Sequence, residues 1–90
     1  MTLIFEFDIA KSASNKDKHG IDFDDAQQLW SGGKLVLLTA RDLEEERRFA
    51  AIGVLRGKYW VAFYTHRAGA IRLISVRRAR AKEIEYYESI

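Results

Sequence analysis

Residues 47–82 read RRFAAIGVLRGKYWVAFYTHRAGAIRLISVRRARAK, and the dipeptides Arg56-Gly57 and Ala68-Gly69 within this stretch decide the fold. Each separates runs of β-branched and aromatic residues, and Gly at the second place favours the two-residue loop of a β-hairpin. Such loops fix the register: Leu55 faces Lys58, Arg67 faces Ala70, and the pairing propagates inward. Arg48, Thr65 and Arg72 then become neighbours across three strands. They share a face with Arg67, Ile52, Phe63 and Ile74, whereas Arg47 and His66 point to the other side. The same stretch carries ten Lys and Arg and no Asp or Glu. The rest of the chain is acidic and returns the net charge to +2. A cationic sheet of this kind attracts a polyanion through steering and counterion release, so nucleic acid is the expected ligand.

Outward from the hairpins, Leu3, Phe5 and Phe7 alternate with Ile4 and Glu6 as in a half-buried strand, and Asp8 stands where a helix N-cap belongs. A helix over 9–19 follows. Lys11, Asn15 and Lys18 or His19 fall at spacings of three and four along it, on one exposed face. Gly20 is suited to end that helix, and Asp22 with Asp25 opens a second, lined by Phe23, Ala26 and Trp30 and closed by Ser31-Gly32-Gly33. Lys34 to Thr39 reads as a strand and Ala40 to Glu46 as a charged loop. A last helix is expected over Ala79 to Glu88. The expected class is α+β: a mainly antiparallel sheet with two N-terminal helices after the first strand and one C-terminal helix.

Ninety residues suit a single domain, 1–90. The absence of Cys removes disulfides and thiolate chemistry and permits a reducing compartment. The apolar runs are too short to cross a bilayer and the N-terminus lacks a signal-peptide pattern, so a soluble cytoplasmic protein is expected, with no membrane partner. No cluster of His, Asp and Glu has metal-site spacing, no Gly-rich phosphate loop precedes a helix, and Ser75 has no evident base. Neither a metal nor a cofactor is expected.

Several pieces recur together: Phe5-Glu6-Phe7-Asp8 with Lys11 and Asn15; Lys18-His19-Gly20 with Phe23 and Ala26; Arg48-Phe49 with Gly53; Tyr64-Thr65-His66-Arg67; and Arg72 to Ala79 with Glu83 and Tyr87. In these the chain resembles the BrnT toxins across nearly its whole length. Phe7 departs from the usual Trp, and Arg47 from a place often acidic. The resemblance implies a RelE-like ribonuclease toxin of a type II toxin-antitoxin system that cleaves RNA and inhibits translation. It further implies a BrnA-like ribbon-helix-helix antitoxin in a 2:2 complex, with operator DNA contacted only through the antitoxin.

Metal-independent RNA cleavage needs a base for the 2′-hydroxyl, cations for the phosphorane and an acid for the leaving oxygen. His19 can serve as acid or base, or can simply cap its helix; the resemblance favours catalysis. Arg48, Arg72 and Arg67 are the expected catalytic cations, since guanidinium is a fixed fork for phosphate, with ordinary solvation of strand arginines as the other reading. Lys11, Asn15, Lys18, Thr65, Arg77 and Arg78 are expected to bind RNA, with a solvated helix face as an equal reading for Lys11, Asn15 and Lys18. Arg80 and Lys82 read as a solvated face, His66 as facing away, Tyr87 as packing, and Glu83 as a partner for an arginine. The alternative function is a non-catalytic RNA-binding or antitoxin-docking module in operon autoregulation.

Overall fold

The computed structural model describes residues 2–43 and 46–90. Strand β1 (Phe5–Glu6) leads through Asp8, whose carboxylate accepts from the Lys11 N–H at 3.1 Å, into helix α1 (Ile9–His19). Gly20 ends α1 in the left-handed region with φ +82°, its N–H donating to the Lys16 carbonyl. That conformation is costly for any residue with a Cβ. The Asp22 carboxylate accepts from Asp25 N–H at 2.8 Å and starts α2 (Phe23–Ala26). The second helix is shorter than its sequence suggests. After one turn it passes into a 3-10 turn over Gln27–Trp30, so the helical arrangement differs from the one expected.

Strands β2 (Leu35–Leu43), β3 (Glu46–Leu55), β4 (Lys58–Arg67) and β5 (Ala70–Arg78) follow, and the sheet order is β1-β5-β4-β3-β2. Both hairpin turns have the expected form. Leu55 pairs with Lys58 and Arg67 with Ala70, and Arg56 and Ala68 take positive φ ahead of Gly57 and Gly69. The sheet is mixed, which corrects the mainly antiparallel one expected, because β1 lies parallel to β5. The helical crossover delivers β2 to the far edge running opposite to β1, and three successive reversals then bring β5 back in β1's own direction. The expected loop over 40–46 is largely strand: Arg41, Asp42 and Leu43 pair with Arg48, Arg47 and Glu46, and Glu44 and Glu45 lie outside the described residues.

A bulge corrects a further expectation. Tyr64 pairs with Leu73 but Phe63 with Ser75, so Ile74 is an extra residue on β5 and does not face Phe63. The slip exchanges the faces of β5 beyond it. Val76 therefore enters the core between the sheet and α1–α2, with Phe23, Ala62, Tyr64 and Leu73, and Arg77 turns to the opposite face, where α3 (Ala81–Ser89) packs its Tyr87 on Val36, Ile52 and Val61. Helix α3 begins two residues later than expected because Ala79 N–H still donates to the Tyr59 carbonyl, leaving Arg80 as N-cap.

Candidate functional site

On the α3 face, beyond the helix itself, the sheet displays a row of polar groups. Phe5 and Phe7 pack into the α1–α2 core, so the alternation of the strand turns Glu6 to the other face. Ile71 and Leu73 likewise flank Arg72. Glu6 pairs with Arg72 in the backbone register, and the Arg72 guanidinium lies 3.3 Å from the Glu6 carboxylate. Both side chains remain open to solvent, at 29% for Arg72 and 38% for Glu6. Thr65, opposite Arg72 on β4, is 3% exposed and its hydroxyl donates to the Arg47 carbonyl at 2.7 Å. Arg48 precedes Phe49, the partner of Tyr64, so the same register sets it beside Thr65 on this face. Arg67, two residues beyond Thr65, projects the same way and is exposed. A carboxylate, a hydroxyl and three guanidiniums thus line up across β1, β5, β4 and β3. His66 turns to the other side, as expected, with its ring edge-on to Phe49 and Tyr64.

The other candidates divide differently. Arg77 forms a two-pronged ion pair with Glu83, both distances 2.8 Å, with its guanidinium over the Phe63 ring. That partnership pulls the Glu83 carboxyl below its ordinary range and raises Arg77, so Arg77 joins β5 to α3. Asn15 is 6% exposed and its amide is fully engaged: Nδ2 donates to the Ile21 and Val76 carbonyls, and Oδ1 accepts from Val76 N–H. It stitches α1 to β5. With Ser12, whose hydroxyl accepts from Phe23 N–H at 2.9 Å, it forms the buried line of α1.

Lys11, Lys18 and His19 are exposed and share a cleft of about 180 Å³ with Ile74 and Ser75. A second cleft, of about 240 Å³, includes His19, Arg56, Lys58, Trp60 and Arg78. Arg78 pairs with Trp60 at the end of the sheet remote from the Thr65–Arg72 pair. At about 3.3 Å per residue along β4, that separation is roughly 17 Å. His19 is therefore not brought together with Arg48, Arg67 and Arg72: it stands on α1, across the sheet and near its other end.

Sequence reasoning missed Glu6 as a site residue, although a lone carboxylate between two phenylalanines on a strand signals an isolated polar group on the second face. It also did not single out Arg56 and Lys58, which line the second cleft with His19. Among the described residues there is no group of three or more His, Cys, Asp or Glu placed to hold a metal ion, and no helix long and apolar enough to cross a membrane. No curated protein matches the chain. A family model described as ribonuclease toxin, BrnT, of type II toxin-antitoxin system matches residues 7–83.

Proposed function

Because the chain belongs to the BrnT family, the ribonuclease toxins of type II toxin-antitoxin systems, we propose that it is an endoribonuclease whose cleavage centre is the Glu6–Arg72 pair. The observation that carries this reading is a solvent-open carboxylate 3.3 Å from a guanidinium, on a sheet face shared with Thr65, Arg48 and Arg67. Glu6 takes the proton from a ribose 2′-hydroxyl, and the freed oxygen attacks the adjacent phosphorus. Arg72 and Arg48 hold the non-bridging oxygens as charge builds on the phosphorane. The bond to the 5′-oxygen breaks, leaving a 2′,3′-cyclic phosphate on one fragment, and that oxygen takes a proton from solvent water to leave a 5′-hydroxyl on the other, while Glu6 returns its proton to solvent. Glu6 is matched by a guanidinium rather than by further carboxylates or imidazoles, an arrangement suited to proton transfer beside a bound phosphate without a metal.

Cutting RNA in the cytoplasm would stop translation. A protein antitoxin follows from the type II class. We assign it as BrnA-like, a ribbon-helix-helix dimer flanked by two toxins that covers the cationic face and contacts operator DNA on their behalf. The test is to incubate antitoxin-free protein with RNA in chelator and analyse the product ends. Cyclic phosphate or 3′-phosphate ends are expected. Products with 5′-phosphate, or activity abolished by EDTA, would refute this chemistry.

A further inference from the structure

His19, the residue expected from sequence at the catalytic centre, is the common wall of two clefts. On one side stand Lys11 and Lys18 and on the other Arg56, Lys58 and Arg78, so six basic groups form a continuous band along α1 and the end of the sheet. The band has a route to the cleavage face. Among the described residues β1 covers β5 only at Ile71 and Arg72; beyond them the edge of β5 lies beside α1, clamped by Asn15 at Val76. The first cleft opens at this edge, with Ile74 and Ser75 on its floor two and three residues past Arg72.

Arg56 takes φ +54° at the first place of its turn, as Ala68 does with φ +51° in the other hairpin, so the two-residue turn sets that conformation. Asp25 steadies the guanidinium at 3.3 Å, and Arg78 is held against the Trp60 ring, 5.6 Å from its centroid.

We propose that His19, Arg56, Lys58 and Arg78 form a phosphate-binding subsite for single-stranded RNA, whose backbone runs from Arg72 round the edge of β5 and past Lys11 and Lys18 to reach it. This rests on the placing of cleavage at Glu6–Arg72 and names where the rest of the substrate lies. The span of roughly 17 Å at ~3.3 Å per residue exceeds what a dinucleotide covers. A strand of at least about four nucleotides, the lower end of known single-strand site sizes, is needed to engage both.

The test is fluorescence anisotropy with a 2′-O-methyl oligonucleotide, which binds but cannot be cut. Variants Arg56→Asn and Lys58→Gln are compared with Arg80→Gln and Lys82→Gln, which remove the same charge from the start of α3. Asn suits the turn, so Arg56→Asn keeps the melting temperature and isolates the effect of the missing cation. Joining Arg56→Asn with Lys58→Gln should weaken binding about tenfold and flatten the dependence of log K on log salt by about 0.7 for each phosphate no longer neutralised. It should also erase the affinity that wild type gains between a dinucleotide and a longer strand. An unchanged salt slope, or an equal loss in the α3 controls, would overturn the subsite. So would unchanged RNA affinity in a cleft that an acidic peptide occupies, which would make it a protein-docking surface. Since this probe is not cut, a failure of Glu6 to support cleavage would defeat the catalytic reading alone.

Discussion

An ion pair open to solvent contributes only about 0–1 kcal/mol to stability, so removing Glu6 separates chemistry from folding. We expect Arg72→Ala to lower cleavage about a hundredfold, as loss of a positioned transition-state donor does, and Arg80→Ala to leave most of it. Equal losses in the two variants would mean that bulk charge alone matters. Thermal melts belong beside the assay, since an unfolded variant would mimic a catalytic one. At this scale the Thr65–Arg72 pairing is legible in the sequence, because it depends only on counting outward from a two-residue turn. The Glu6–Arg72 pairing is not, because it needs a parallel alignment between two distant parts of the chain that no local pattern encodes. Helical spacing groups Asn15 with Lys11 and Lys18, but it gives only the angle around a helix and not which side the sheet will cover.

Helix α1 is joined to the sheet through Asn15, and three buried hydrogen bonds ending on one side chain make it a sensitive polar position. Asn15→Ala should cost about 3 kcal/mol, since each buried backbone group left unpaired costs about 1 kcal/mol or more. A melting temperature within a degree or two of wild type would show that water replaces the amide. Helix α3 is tied down by Arg77–Glu83, and its pH dependence has a definite sign. Glu83 is held below the ordinary carboxylate range by hydrogen bonding to Arg77, so its stabilisation is present above that range and fades as pH falls through the lowered value. Glu83→Gln should therefore reduce stability at neutral pH and flatten the acid limb of melting temperature against pH. A limb as steep as wild type would assign the acid sensitivity elsewhere. Neither tie follows from local sequence. The Ile74 bulge that turns Arg77 toward α3 has no Gly or Pro to announce it, and a perfect alternation through β5 would have put Val76 on the wrong face.

Across the whole molecule, charge segregation is plain in the sequence, and the cationic stretch becomes the central hairpins of the sheet. Its division between two faces is not, since strands alternate and the basic residues of β4 and β5 go both ways. That division bears on inhibition. An antitoxin covering the α3 face would meet Arg48, Arg67 and Arg72, and its association rate should fall with salt more than its dissociation rate rises. Light scattering of the co-expressed pair should give two toxins with one antitoxin dimer, and a 1:1 species would remove the dimer from the account. The most direct measurement on the central claim is the single-turnover cleavage rate of RNA by Glu6→Gln and His19→Ala, each purified free of antitoxin and shown to be folded. We expect Glu6→Gln to lose about a hundredfold in rate, within the usual ~10²–10⁴ contribution of a general base, and His19→Ala to cut at close to the wild-type rate once RNA is saturating. A fully active Glu6→Gln beside an inactive His19→Ala would place the chemistry on the opposite face of the sheet and contradict the account.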